Sequence, residues 1–487
     1  MKIRTLFGID SDVEISSLTM DSRSAGPGAA FFCVTGATSD GHDYAPDALR
    51  NGAACIVHSR PLPQMPTDAV LVRVPDVQTA LNQAAHTFYG KPSEHMTVFG
   101  VTGTNGKTTV ATLLSELRSH WHPTGYIGTI ANQYNHALSN QPHTTPDAIR
   151  LHRMLRKMRD DNLTGVAMEV SSHGLAQNRV DSVVFDVAIM TNLTHEHLAY
   201  HHTMEAYLEA KGLLFRLLKP DGVAILNRDD PSCDPLAART RARVVTYGID
   251  SDADYRARDL DLAGDGTRFW LDHAGQSFEV RTNLVAAFNI SNLLSVIAAL
   301  HETGIPLSSL LPRVQSLGQV DGRIERVERG QPFRVIVDYA HTPDGFEKIM
   351  AYAQVIRGTG RVIAVFGAAG RRDTTKRPLL GRIADRFCDR ILLTEEDNRD
   401  EDPAAIADQI RSGIRNASTQ FVPDRATAIR QALAEATPGD VVLILAKGSE
   451  TFLDREGRSD PYEGDVAVAK TALSSMGFHV LGDMEPG

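Results

Sequence analysis

Residues 98–109 read VFGVTGTNGKTT. A short apolar run ends in a glycine loop, Gly103-Thr104-Asn105-Gly106-Lys107-Thr108-Thr109, and a helical pattern begins at Val110. Strand, glycine loop and helix together make a phosphate cradle. Glycines let backbone N–H groups close on phosphate oxygens, and the helix N-terminus adds positive potential. A lysine reaches the outer phosphates, and a hydroxyl ligates Mg²⁺. The strict pattern asks for glycine at position 101, where Val101 stands, so the match is to the shorter form G-x-x-G-K-T-T. The segment predicts binding of a nucleoside triphosphate with magnesium, with Lys107 on the phosphates and Thr108 on the metal.

Further polar groups follow apolar strands. Glu169, in Met168-Glu169-Val170-Ser171-Ser172-His173, suits a Mg²⁺ ligand beside a phosphate loop. His195, His197, His201 and His202 fall within eight residues and invite a zinc reading. No cysteine or HExxH frame accompanies them. One histidine helping a magnesium site, with the others at the surface, fits better. Lys211, in Tyr207-Leu-Glu-Ala-Lys211, reads from its pattern as a solvent-facing helical lysine. Asp338 ends an apolar strand and suits a ribose or a metal. The basic turn Arg371-Arg372-Asp373-Thr-Thr-Lys376-Arg377 suits phosphate or carboxylate groups, or is a solvated charge run.

Positioning these groups takes about three domains at a length of 487 residues. Residues 1–92 carry short β-like runs (29–34, 54–57, 69–72) and end at Tyr89-Gly-Lys-Pro92. Residues 93–321 alternate apolar strands (165–170, 185–190, 222–226, 243–247) with helical patterns, which predicts a parallel α/β sheet; a helix is expected near 289–302. Residues 322–487 repeat the style (334–338, 361–366, 390–394, 440–445) and read as Rossmann-like. The net charge of −10 shows no basic stripe and argues against nucleic acid. No apolar run approaches a membrane span, and the N-terminus lacks a signal-peptide core, so a cytoplasmic protein is expected. Cys33, Cys55, Cys233 and Cys388 are scattered and read as buried thiols.

Taken together, these blocks resemble the Mur ligases of peptidoglycan synthesis, most closely the MurE type. Met20-Asp21-Ser22-Arg23 and Asp40-Gly41-His42 resemble that family's UDP-binding domain, and Gly103 to Thr109 its ATP loop. His143-Thr144-Thr145-Pro146 and Glu169-Val-Ser171-Ser172-His173, with Gln177 and Arg179, resemble the substrate pocket. Asn289 and Asn292, Gly322-Arg323 and Asp338 to Asp344 resemble nucleotide-contact motifs. Lys211 falls on the family's carbamylated lysine. The resemblance implies ATP and Mg²⁺ as cofactors, with Thr108, Glu169, His197 and carbamylated Lys211 as metal ligands. Lys107, Lys211, His197 and Glu169 become the catalytic candidates. It also implies a monomer acting on UDP-N-acetylmuramoyl-L-alanyl-D-glutamate and a free amino acid. ATP would phosphorylate the dipeptide carboxylate, and the amine would attack the acyl phosphate. Mg²⁺ and Lys107 would offset the charge, and domain closure would exclude water.

Departures from the family bear on the third residue. His195-Glu196-His197-Leu198-Ala199 stands for the usual Arg-Asp-His-Leu-Asp, and Arg371-Arg372-Asp373-Thr374 for Asp-Arg-Asp-Lys. Arg372 still matches the arginine that holds the incoming α-carboxylate. Glu396-Asp397-Asn398-Arg399 replaces the Asp-Asn-Pro-Arg of diaminopimelate-adding enzymes, and Ala446 to Glu450 replaces Gly-Lys-Gly-His-Glu. Asp397 sets a carboxylate where that type has an amide, which favours the side-chain ammonium of lysine or ornithine over a second carboxylate; Arg399 argues for diaminopimelate. Rival readings are a folylpolyglutamate-type ligase, a P-loop NTPase without ligase activity, and a paralogue that has lost catalysis.

Overall fold

The computed structural model describes residues 1–36, 39–130 and 143–479. Four parallel strands, β1 (Ser17–Thr19), β2 (Ala29–Phe32), β3 (Cys55–His58) and β4 (Leu71–Arg73), form the first sheet in chain order. The helix Val77–Phe88 covers it, started by the Asp76 carboxylate accepting from the Thr79 N–H.

The second sheet contains β5 (Thr97–Thr102), β6 (Thr124–Ile127), β7 (Gly165–Glu169), β8 (Phe185–Met190), β9 (Leu218–Asn227), β10 (Arg243–Gly248), β11 (Tyr255–Leu262), β12 (Thr267–His273) and β13 (Gln276–Thr282), in the order β13-β12-β11-β10-β9-β8-β5-β7-β6. Its strands are parallel from β6 to β11 and antiparallel from β11 to β13. The expectation of a parallel sheet therefore holds for its larger part. The antiparallel edge was missed because its strands alternate polar and apolar residues, the mark of a half-covered face. Both faces of β5 are covered. Phe99 and Val101 pack toward the helices Lys107–Arg118 and Ala287–Glu302, and Val98 packs the other way toward Ala148–Asp160. That is why the strand reads as one apolar run.

The third sheet orders β14 (Glu325–Arg326), β15 (Arg334–Asp338), β19 (Val441–Leu445), β16 (Val362–Phe366), β17 (Arg390–Leu393) and β18 (Ser418–Phe421), parallel except for β14. A hairpin of β20 (Phe452–Arg455) and β21 (Arg458–Pro461) follows. All four cysteines are buried and free. Among the described residues no helix is long and apolar enough to cross a membrane.

Candidate active site at the central phosphate loop

The loop after β5 lies at the carboxyl end of a central strand, between β7 and β8, where α/β sheets hold their ligands. Gly106 caps the helix Lys107–Arg118 at φ +87°, and Gly103 sits at φ +148°. A Cβ at Gly103 would lie 1.8 Å from Thr191 Oγ1, and one at Gly106 2.5 Å from Asn292 Oδ1. Only glycine fits this close approach. The loop is tied down by its neighbours. Thr191 Oγ1 donates to the Asn105 carbonyl at 2.5 Å, and the Asn105 N–H donates to Asn192 Oδ1 at 3.0 Å.

Lys107 Nζ folds back onto the loop and donates to the Gly103 and Thr104 carbonyls at 3.0 and 2.9 Å. Burial pushes its pKa down and the Arg323 cation adds to this, while Glu169 and Glu196 oppose it. Thr108 Oγ1 donates to Glu169 Oε2 at 3.0 Å and accepts from Arg323 Nη2 at 3.0 Å. Glu169 is buried, and its Oε1 accepts from the Tyr126 hydroxyl at 2.5 Å and from the Thr129 N–H at 2.9 Å. A hydroxyl and a fixed carboxylate side by side are hard oxygen donors that fit Mg²⁺. Among the described residues no three His, Cys, Asp or Glu side chains form a metal cluster, so the zinc reading of the histidines has no support.

His197 and His201 instead cluster with His173 in edge-on and tilted ring contacts. His173 lies 4.9 Å from His197 and 5.5 Å from His201, centroid to centroid. Burial lowers the pKa of His197 to about 2 and of His173 to about 4, so both are neutral near pH 7. The expectation that the other histidines sit at the surface holds for His195 and His202 and fails for His201. That side chain is buried, with Nε2 3.0 Å from Ser172 Oγ.

Lys211 corrects its own pattern. It sits on the helix Met204–Arg216 but is 1% exposed, because the helix turns that face onto the glycine loop. Nζ donates to the Gly103 carbonyl at 2.8 Å and lies 4.4 Å from the Tyr207 ring centre. Burial, with help from Lys107, holds its pKa well below that of an ordinary lysine.

Thr145, Ser171, Gln177 and Arg179 come together. Thr145 Oγ1 donates to Ser171 Oγ at 3.1 Å, and Arg179 donates to the Thr145 carbonyl at 2.8 Å and to Gln177 Oε1 at 2.5 Å. Thr144 precedes them in chain and is half-buried. Met20 and Ser22 stay on the first sheet's domain, Met20 against its core and Ser22 opening a short 3-10 turn.

The third sheet's domain reaches the loop directly. Asn105 Nδ2 donates to Asp344 Oδ2 at 2.8 Å, and Lys376 Nζ lies 3.5 Å from Glu196 Oε1 with both side chains buried. The basic turn is therefore divided. Arg371 and Arg372 are exposed, whereas Lys376 and Arg377 are buried. Asp338, expected on ribose or metal, is held by backbone. Its two oxygens accept from the Ile324 and Ala340 N–H groups at 2.8 and 2.7 Å, which makes it a brace for the turn that carries Arg323. Asn289 is likewise buried, with Nδ2 on the Val285 carbonyl at 3.1 Å.

Around the expected amino-acid pocket, Asp397 is not a free carboxylate. Lys447 Nζ donates to it at 2.9 Å and lies 2.5 Å from Glu450 Oε2. Tyr339 donates to Glu450 at 3.0 Å. Glu395 is paired with Arg455, and burial raises the Glu396 pKa to about 7. Asn398 Nδ2 donates to the Glu401 carbonyl at 3.2 Å. Arg399 and Ala446 adopt left-handed backbone, and the Arg399 guanidinium donates to the Gly370 carbonyl. Sequence reasoning missed Tyr126, Thr129 and Tyr207, which orient the carboxylate and lysine; nothing in their spacing marks them.

Family models match in three blocks: a Mur ligase family catalytic domain over residues 14–89, a Mur ligase middle domain over 101–300 and a Mur ligase glutamate ligase domain over 322–448. A UDP-N-acetylmuramoyl-L-alanyl-D-glutamate–2,6-diaminopimelate ligase of Halalkalibacterium halodurans is 39% identical over 469 residues, 95% of each chain. A UDP-N-acetylmuramyl-tripeptide synthetase of Roseiflexus sp. is 38% identical over 488 residues, 96% of each. A solved structure titled as a UDP-N-acetylmuramoyl-L-alanyl-D-glutamate–2,6-diaminopimelate ligase superposes with a TM-score of 0.68 at 30% identity, covering 98% of this chain and 99% of the other.

Proposed function

Because the chain belongs to the Mur ligase family, we propose that it is the ATP-dependent ligase that adds the third amino acid to UDP-N-acetylmuramoyl-L-alanyl-D-glutamate. The observation that carries this reading is Thr108, which bonds at once to Glu169 and to Arg323. A phosphate-loop hydroxyl, a buried carboxylate and a cation from the turn opening the third domain converge there. Residues 1–92 take the UDP end of the substrate through Met20 and Ser22, residues 93–321 take ATP, and residues 322–487 take the amino acid. ATP contacts come from Gly103 to Thr109, with Asn289 and Asp338 holding the surrounding turns. Thr144, Thr145, Ser171, Gln177 and Arg179 hold the dipeptide. The enzyme works in the cytoplasm as a monomer, without nucleic acid or membrane insertion.

Thr108, Glu169, His197 and a carbamate on Lys211 would hold Mg²⁺, which when bound offsets negative charge on the phosphates. Lys211 suits carbamylation because burial and Lys107 lower its pKa and so favour the neutral amine, the form that attacks CO₂. The dipeptide carboxylate attacks the γ-phosphorus of ATP, and ADP leaves. Lys107 swings from the loop carbonyls to the phosphate oxygens and stabilises the transferring charge. The neutral amine of the incoming residue then adds to the acyl carbon, phosphate departs, and the amide forms. The contacts of Asn105 with Asp344 and Glu196 with Lys376 close the site against water, which would otherwise hydrolyse the acyl phosphate.

The third residue is a diamino acid whose α-carboxylate meets Arg372. The case for lysine rested on a free carboxylate at Asp397, and Lys447 offsets one of the pair Asp397 and Glu450. With that charge offset, and with relatives named as 2,6-diaminopimelate ligases, diaminopimelate becomes the reading to prefer. Lysine stays as the second reading, favoured by the single negative charge left over from Asp397, Glu450 and Lys447. An ADP-release assay with the UDP-dipeptide and a panel of diaminopimelate, lysine, ornithine and simple amino acids decides. Release independent of any amino acid would overturn the ligase reading.

A further inference from the structure

Away from the phosphate loop, a cavity of about 640 Å³ opens between the second and third domains. One wall is the turn between β11 and β12, at Gly264 and Asp265. The others are β14, β15 and the last turns of the helix Pro343–Ile356. Its floor is apolar, with Phe333, Ile336 and Ile356 buried. Two polar groups on its wall are sealed from solvent, Arg326 Nη2 and Tyr352 Oη, and the guanidinium is the phenol's hydrogen-bonding neighbour. Tyr352 itself is only 5% exposed.

The charges around them are ordered. Arg326 acts on the Tyr352 hydroxyl through its charge and a side-chain hydrogen bond, Arg334 adds charge of the same sign, and Asp265 acts with the opposite sign. Arg334 is anchored through Nη1 on the Ile356 carbonyl at 2.8 Å. Asp265 and Glu328 are exposed at the mouth. The cavity thus runs from two acidic groups at the rim, past an apolar floor, to a guanidinium and a phenol inside.

We propose that this cavity is a second small-molecule site, which takes a zwitterionic amino acid or short peptide with an apolar side chain. The carboxylate meets Arg326 and Tyr352, the ammonium meets Asp265 and Glu328, and the side chain covers Phe333 and Ile336. A simple anion would leave the acidic rim unanswered, and a simple cation would leave Arg326 unanswered. Because the walls come from two domains, a bound zwitterion holds those domains together.

Calorimetry on the full chain tests this with L-phenylalanine as probe and a non-hydrolysable ATP analogue filling the phosphate loop. L-phenylalanine should bind. 3-Phenylpropionate, which lacks the ammonium, and L-phenylalaninamide, which lacks the carboxylate, should each bind at least tenfold more weakly. Tyr352→Phe and Arg326→Gln should each weaken L-phenylalanine tenfold or more, with circular dichroism unchanged. Should Arg326→Gln fail to fold, Tyr352→Phe alone decides. Arg372→Ala, in the proposed substrate pocket, should leave this binding intact. The proposal falls if L-phenylalanine does not bind, if the two analogues bind as well as it does, if folded Tyr352→Phe binds normally, or if Arg372→Ala abolishes binding.

Discussion

Lys107 and Lys211 donate to the same oxygen, the carbonyl of Gly103, at 3.0 and 2.8 Å. Two ammonium groups on one acceptor repel each other, and burial penalises both, so the pair favours a neutral Lys211. A neutral amine beside the loop is poised for carbamylation. Lys211→Ala should therefore be inactive in the ligase assay and partly rescued by short carboxylic acids, which restore the missing oxygens. Full activity in Lys211→Ala would remove the carbamate from the account.

Lys107 serves a different end. It donates to the loop carbonyls, and under the proposed function it turns to phosphate when ATP enters. Lys107→Ala should keep the fold and lose nearly all ADP release. Retention of activity within about tenfold, or about 1.4 kcal/mol in barrier, would mean that it does not carry the transferring charge.

Asn105 joins the phosphate loop to the third domain through Asp344. A hydrogen bond to a charged group contributes about 1.5–3 kcal/mol. Asp344→Ala should slow tripeptide formation about ten- to a hundredfold. It should also raise the ratio of ADP released to tripeptide formed, since a looser site admits water to the acyl phosphate. An unchanged ratio would show that this contact does not seal the site.

The phosphate loop, the strands of the parallel cores and the carboxylate that ends β7 were legible in the sequence, because glycine loops and doubly covered strands leave short-range signatures. Lys211 and Asp397 were not. The helix spacing around Lys211 does not say which face meets Gly103, and only tertiary packing buries it. Asp397 read as free charge because Lys447, its partner, stands fifty residues away in the chain. That Asp338 also braces the turn carrying Arg323 was not legible, since backbone N–H groups that fold back on a strand end leave no mark on composition.

His152 gives a prediction about pH. It is fully buried, both ring nitrogens lack partners, and burial, with His86 beside it, lowers its pKa from 6.5 to about 3. Its folded pKa lies below its unfolded one, so the unfolded chain binds the proton first. The stability from the neutral ring is full above pH 6.5 and is lost as pH falls toward 3. Each pH unit in that window removes about 1.4 kcal/mol for this one group. Urea midpoints of His152→Phe should fall less steeply than those of the wild type below pH 6. Parallel curves would mean that His152 is protonated in the folded protein.

Asp397 and Lys447 make a pair whose two halves should act in opposite senses. Lys447 sits between Asp397 and Glu450 at 2.9 and 2.5 Å and offsets one of their two charges. Lys447→Gln would leave both carboxylates uncompensated beside the incoming side chain. Their repulsion should fall on the second carboxylate of diaminopimelate, and their attraction on the ammonium of lysine. Asp397→Asn does the reverse, because Lys447 then balances Glu450 and the leftover negative charge of the pair is gone. In competition at equal concentrations, the ratio of lysine to diaminopimelate incorporated should rise about tenfold in Lys447→Gln and fall about tenfold in Asp397→Asn, for a coupling of about 1.4 kcal/mol. Affinity for ATP should hardly change in either variant. Shifts of the same sign in both would show that the pair only supports the turn at 396–399, and that Arg399 alone reads the third residue.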